Sequence, residues 1–250
     1  MLIKIKLALL SPIWLWRIRK VRSLWKKVKT GKKDITPQYR NDLILFYAKR
    51  LLKTFNTNIK VVGKENLLKN PSLIVANHKS VADPFLLFYA LENKEKTQDE
   101  VNPILTFVAK KELSKSRINK WILGSIDTFF IDRQKIRQAL KTMDEFGRFV
   151  RENRTTGVIF PEGTRVQESH IGEFKAGAFQ VAKQFSLPII PITINNSQDV
   201  FNTKRTKKID VEIIIHKPIK SLQVSSQNIQ ALAKQTQSII AKYYKNFGDK

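Results

Sequence analysis

Two short stretches carry side chains able to move a proton and to hold a phosphate. The first reads A-N-H-K-S-V-A-D-P-F, from Ala76 to Phe85, and sets His78 and Asp83 five positions apart. That spacing does not put them on one helix face, so a turn must fold the acid back toward the ring. A carboxylate placed there bonds one imidazole nitrogen, fixes the tautomer and leaves the other nitrogen to take a proton. This is the orienting part an acid plays in a Ser-His-Asp triad. No serine nucleophile is required, because such a base can act directly on a substrate hydroxyl. Taken alone, the same residues also describe a loop histidine beside an Asp that caps a helix starting at Pro84. The capping and orienting roles of Asp83 are compatible.

The second stretch is F-P-E-G-T-R, Phe160 to Arg165. Gly163 permits close backbone approach, and Thr164 and the planar fork of Arg165 can hold a phosphate. Taken alone it also describes an ordinary turn. The other two histidines fit no such pattern: His170 reads as a surface residue and His216, at a strand end, as structural. The chain has no cysteine, which excludes disulfides, thiolate nucleophiles and Cys-ligated metals. Its three scattered histidines lack zinc-enzyme spacing, and no metal is expected.

These residues must be positioned by elements legible in the pattern. Short apolar runs predict strands over residues 59–62, 72–76, 105–109, 128–131, 157–160, 188–194 (broken by Pro191) and 209–216. Helical spacing predicts helices over residues 83–91, 134–151, 174–185 and 226–244. In the third-last-named group, Ile136, Leu140, Met143 and Phe146 form the apolar repeat of the 134–151 helix. Residues 111–123 read as helix or turn, 93–102 as a polar loop, and 195–208 as a variable basic loop without an assigned role. Strands alternating with helices predict an α/β domain with a mixed, largely parallel sheet flanked by helices. In such sheets ligands meet the carboxyl ends of strands. Three such junctions carry polar chemistry: Asn77-His78, Asp132-Arg133 and Pro161 to Arg165.

A net charge of +25 draws the chain toward polyanions, whether nucleic acid, anionic lipid or phosphorylated substrate. Residues 1–33 hold eleven basic side chains and no acid. The apolar stretch from Leu7 to Trp16 is too short to span a bilayer, which needs about 20 residues, and Ser11-Pro12 and the tryptophans are wrong for a signal peptide. Trp14, Ile18, Val21, Trp25 and Val28 fall at steps of four, three, four and three, one face of a helix whose other positions are mostly Lys and Arg. Such a helix fits a membrane interface; the alternative is a helix docking that stripe on its own domain. A second helical pattern covers residues 39–55, after Pro37. The expected organisation is an amphipathic two-helix membrane-binding appendage, residues 1–57, and an α/β domain, residues 58–250. The expected location is the cytoplasmic face of the cell membrane, peripheral or monotopic, with no transmembrane helix.

N-H-x-x-x-x-D followed by F-P-E-G-T-R resembles the glycerophospholipid acyltransferases, particularly the lysophosphatidic acid acyltransferases. F-V-A-K-K-E-L (107–113), F-F-I-D-R (129–133), F-K-A-G-A (174–178) and L-P-I-I-P-I (187–192) resemble further blocks in the family's order, so the likeness spans roughly residues 58–219. The basic helix pair resembles the membrane-binding appendage of some bacterial members. The resemblance implies His78 as general base toward the acceptor hydroxyl and Asp83 as its orienting partner, with direct attack on an acyl thioester and no acyl-enzyme. It implies that Glu162, Gly163, Thr164 and Arg165 bind the acceptor, Arg165 on its phosphate. Lys110 would be a second phosphate partner, with Lys111 its rival by spacing. Arg133 would be a third or a structural residue, and Pro191 would shape the acyl side. It implies no cofactor beyond the co-substrate, a thioester of acyl carrier protein (acyl-ACP) or coenzyme A (acyl-CoA). The expected reaction makes phosphatidic acid from lysophosphatidic acid on an anionic membrane surface. Glycerol 3-phosphate or another lysophospholipid is the alternative acceptor. A nucleic-acid-binding protein is the alternative that charge alone raises, but no nucleic-acid signature is present and no nucleic acid is expected.

Overall fold

Among the described residues, seven strands form one sheet in the order β1-β7-β6-β2-β5-β3-β4. They are β1 (Thr57–Val62), β2 (Ser72–Ala76), β3 (Leu105–Lys110), β4 (Thr128–Ile131), β5 (Thr156–Ile159), β6 (Ile189–Asn195) and β7 (Ile209–Ile215). Every neighbouring pair is parallel except β6 with β7, so β1 and β7 run against the other five. The mixed, largely parallel sheet read from the sequence is present. The computed structural model describes residues 2–31, 35–69, 71–93, 101–166 and 168–245. Lys32 and Lys33 of the basic run, and residues 94–100 of the expected polar loop, lie outside the described residues.

The helices are α1 (Ile3–Thr30), α2 (Pro37–Thr54), α3 (Asp83–Ala90), α4 (Arg117–Leu123), α5 (Ile136–Glu152), α6 (Gln180–Gln184), α7 (Ser221–Ser226) and α8 (Ile229–Tyr243). They cover both faces of the sheet. β2 is buried along its whole length, as a central strand between two helical layers must be. Its side chains alternate: Ile74 and Ala76 join the core under α2 and α3, while Leu73 and Val75 join the core with Phe146 of α5 and Leu232 of α8. Ile44, Leu45, Ala48 and Leu52 of α2 belong to the first of these cores, together with Val21 of α1. The helix pair is thereby packed onto the sheet.

Several expectations change. The residue 174–185 helix is a 3₁₀ turn (Ala176–Phe179) followed by the short α6; the expected 226–244 helix is α8, starting at Ile229, with the short α7 unexpected before it. Lys111–Lys115 is a 3₁₀ turn before α4. β6 runs unbroken through Pro191, whose carbonyl accepts the N–H of His216. The ladder with β7 begins only at Ile192, so the missing N–H falls at a break in the pairing.

The largest change concerns α1. Its stripe of Trp14, Ile18, Val21, Trp25 and Val28 faces the protein: Val21 is buried and the others are half-buried. Trp25 packs so closely on α4 that a side chain at Gly124 would meet its ring within 2.6 Å. A different set is exposed: Leu2, Ile5, Leu9, Ile13 and Trp16, at steps of three, four, four and three, together with Leu15. Helical periodicity identified one stripe, but α1 has two, and only packing decides which one the protein covers.

Candidate active site

β2 ends at Ala76, and Asn77 locks the exit. Its amide donates to the Ile194 carbonyl at 2.9 Å and accepts the Ile194 N–H at 2.8 Å, so a side chain here continues the ladder to β6. The sequence reading placed Asn77 at this junction but gave it no role; a polar residue closing a fully apolar run was the signal. His78 follows, and its Nδ1 lies 2.8 Å from Asp83 Oδ2. The same oxygen accepts the N–H groups of Lys79 and Ser80, each at 2.8 Å. Asp83 is fully buried. It is the first residue of α3, with Ala82 at the N-cap, so it does not cap this helix as expected. Its carboxylate instead folds back over the 78–80 turn. With Nδ1 held by an acid that only accepts, Nε2 is the nitrogen left to take a proton. The His78 ring stacks on Phe160 at a centroid distance of 4.3 Å.

β5 ends beside β2 and delivers the second stretch. Glu162 is buried at 4 % exposure, and its carboxylate accepts the N–H of His78 at 2.8 Å and of Gly172 at 3.2 Å. Burial pushes the carboxyl above its usual range, and the two N–H bonds oppose that shift. Both oxygens therefore face backbone, and Glu162 is not among the residues that line the cavity described below. It ties the His78 turn to the 162–172 loop, a position that does not suit the acceptor-binding role expected of it. Val166 N–H donates to the His78 carbonyl at 3.0 Å and strengthens the same tie.

Lys79 adds a third link. It is nearly buried, and its ammonium donates to the carbonyls of Glu168, at 2.9 Å, and His170. It also lies 5.1 Å from the Tyr244 ring centroid. Burial holds its pKa below the usual lysine value, against the pull of Glu162, Glu168 and Asp83. Gly163 adopts φ +74°, which disfavours any side chain, and the Arg133 guanidinium donates to its carbonyl. A Cβ at Gly163 would sit 2.6 Å from Arg133 Nη1, so a side chain there would also displace the guanidinium.

His78, Lys110, Arg133, Gly163, Thr164 and Arg165 all line one cavity of about 660 Å³. Its other walls are largely apolar, from Phe85 and Phe88 of α3, Phe107 of β3, Ile122 and Leu123 of α4, and Met143 of α5. The structure thus brings together all but one of the residues expected to bind the acceptor, Glu162 being the exception. Lys110 rather than Lys111 faces the cavity; Lys111 instead pairs loosely with Asp132 at 3.5 Å. Thr164 and Arg165 are exposed at the lining. Ile136 and Leu140, two residues of the apolar repeat, line the same cavity while remaining largely exposed. The apolar face of α5 forms cavity wall at one end and core, at Phe146, at the other.

Pro191, expected on the acyl side, lies in β6, buried and outside the cavity lining. His170 is exposed, 3.4 Å from Glu168. His216 is buried with Nε2 2.8 Å from Thr193 Oγ1; that hydroxyl donates to the Ile240 carbonyl, so the ring nitrogen is the donor. Among the described residues no group of acids and histidines could hold a metal ion.

A model of the acyltransferase family matches residues 58–195. The chain is 32 % identical over 237 residues to a probable 1-acyl-sn-glycerol-3-phosphate acyltransferase of Mycoplasma pneumoniae, covering 90 % of this chain and 86 % of that protein. It is 34 % identical over 149 residues to the 1-acyl-sn-glycerol-3-phosphate acyltransferase of Saccharomyces cerevisiae, covering 59 % and 46 % of the two chains. Its fold is similar to that of the crystal structure of the 1-acyl-sn-glycerophosphate (LPA) acyltransferase from Thermotoga maritima. That match has a TM-score of 0.71 at 20 % identity and covers 96 % and 92 % of the two chains.

Proposed function

The chain belongs to the acyltransferase family, and on that premise we propose that it transfers a fatty acyl group from a thioester to lysophosphatidic acid, forming phosphatidic acid. It is an O-acyltransferase. The observation that carries the reading is the Asp83-held His78 opening onto an apolar-walled cavity that also presents Lys110, Arg133 and Arg165. His78 Nε2 takes the proton from the free acceptor hydroxyl as its oxygen forms a bond to the thioester carbonyl carbon. The tetrahedral adduct collapses, the carbon–sulfur bond breaks, and the proton passes from His78 to the departing thiolate. Arg165 and Lys110 hold the acceptor phosphate through charge-assisted bonds. Gly163 and Thr164 bring backbone and hydroxyl close to it, and Arg133 fixes that turn through the Gly163 carbonyl. The apolar walls take acyl chain.

Carrier-protein and coenzyme A thioesters both fit this chemistry as donors. No described helix is long and apolar enough to cross a membrane. Association at the bilayer interface is supported by the exposed α1 face, with Leu9 66 % and Trp16 53 % exposed. Lys20 lies over the Trp16 ring at 4.2 Å, a pairing suited to headgroup depth. An acyl-transfer assay crossing acyl-ACP and acyl-CoA with lysophosphatidic acid, glycerol 3-phosphate and other lysophospholipids tests the reading. Lysophosphatidic acid is expected to be the preferred acceptor, and His78→Ala to lose activity by about 10²-fold or more. Undiminished activity in that variant overturns the mechanism; preference for another acceptor overturns the substrate.

A further inference from the structure

Residues 196–208 take no part in the site, yet the structure gives this basic loop a fixed shape. The Arg205 guanidinium reaches beneath it and donates to the carbonyls of Asp199, Val200, Lys207 and Phe55. Phe201 packs against Phe55, at the end of α2, and Phe85 of α3, with ring centroids 4.8 and 5.8 Å apart. From this scaffold Lys204, Lys207 and Lys208 project into solvent, and none of their ammonium groups meets an acid among the described residues. The nearby acids are engaged elsewhere: Asp199 accepts from Asn202, and Asp210 accepts from Asn58 at 2.7 Å.

Topology fixes where these lysines lie. β7 runs against β6, so Ile209 lies beyond Asn195, at the end of the sheet where β2 delivers His78. β1 starts at the same end, because Thr57 is in register with Ile209. Asn56, just before β1, accepts a hydrogen bond from Lys6 of α1. The loop and the amino half of α1, with exposed Ile5 and Leu9, are therefore neighbours at the active-site end of the sheet.

We propose that the 196–208 loop is a second membrane contact, its three lysines binding the phosphate headgroups of an anionic bilayer beside the inserting face of α1. This rests on the membrane association inferred above and adds an orientation to it. One helix face leaves the protein free to roll about the helix axis. A rigid cationic loop beside it removes that freedom and turns the active-site end toward the lipid. Charge alone would not make this choice, because an equally basic group at the other end of the sheet gives a different orientation. There Arg151, Arg154 and Lys220 line a cleft with Pro71 and Pro188: the arginines precede β5, Pro71 precedes β2, Pro188 precedes β6, and Lys220 follows the antiparallel β7.

The test is co-sedimentation of the full chain with vesicles of mixed phosphatidylcholine and phosphatidylglycerol, with pure phosphatidylcholine vesicles as reference. The K204Q/K207Q/K208Q variant is expected to bind the mixed vesicles roughly 100-fold more weakly at about 0.1 M salt, from three lysines near an anionic surface. The difference should shrink as salt shortens the screening length. The charge-matched R151Q/R154Q/K220Q variant is expected to stay within about threefold of wild type, since those groups lie farther from the lipid than a Debye length. Equal weakening of the two triple variants overturns the loop contact, as does no weakening of the loop variant. Leu9→Asp separates that failure from failure of the membrane reading itself. If Leu9→Asp loses binding while the loop variant does not, α1 association stands without the loop. If wild-type protein binds neither vesicle, both inferences fall.

Discussion

Replacing Glu162 by Gln separates a brace from a substrate ligand. In the native protein one carboxylate satisfies two backbone N–H groups, those of His78 and Gly172. The Gln amide presents a single acceptor oxygen, and its NH₂ then faces an N–H donor. One buried N–H is left without a partner, at a cost of about 1–3 kcal/mol. For a chain of this size that corresponds to a thermal midpoint lower by roughly 2–12 °C. The catalytic consequence follows from which N–H is lost. Releasing the His78 amide loosens the turn that aims Nε2, and a displacement of about 1 Å lowers rate by roughly 10²-fold. The expected result is a fall in kcat with little change in the acceptor KM. Arg165→Gln supplies the contrast: losing a charge-assisted contact to the phosphate should raise KM by about 10–100-fold without lowering the thermal midpoint. The assays are steady-state acyl transfer with acceptor varied and thermal unfolding of each variant. A Glu162→Gln protein with native midpoint, native kcat and an Arg165-like rise in KM would refute the reasoning and return Glu162 to the acceptor.

Two further predictions rest on buried groups. Asp83→Asn removes the charge that receives the His78 ring and two backbone N–H groups; we expect kcat to fall by about 10²–10⁴-fold with KM within a few-fold. Activity within threefold of wild type would show that ring orientation does not depend on this acid. Burial holds His216 below the ordinary histidine value, so the unfolded chain binds a proton there that the native chain does not. Its stabilisation is complete above the ordinary histidine range and is lost as pH falls through that range toward the lowered native value. His216→Gln, which can still donate to Thr193, should flatten the fall of thermal midpoint between about pH 7 and pH 5; an unchanged slope would count against it.

Much of this protein is local, and local features are legible in a sequence. β2 and β4 were readable to the residue because a short apolar run ending in a polar turn has few other folded solutions. The His78–Asp83 pairing was readable because a strand ending before the histidine and a helix beginning near Pro84 leave the intervening turn little room. Two things required tertiary structure. Glu162 sits among cavity-lining neighbours in the chain, yet it points at backbone, because direction depends on how β5 lies beside β2. The α1 helix carries two apolar stripes, and periodicity reports each without saying which is covered. That choice was made by α2 and α4, whose shapes fit the Val21–Trp25 side and leave Leu9 and Trp16 to the solvent. Sequence thus supplied the candidate groups for the chemistry and most of the elements that carry them. Packing between elements distant in the chain decided where each side chain points, because burial is a property of a pair of surfaces and a sequence pattern describes only one of them.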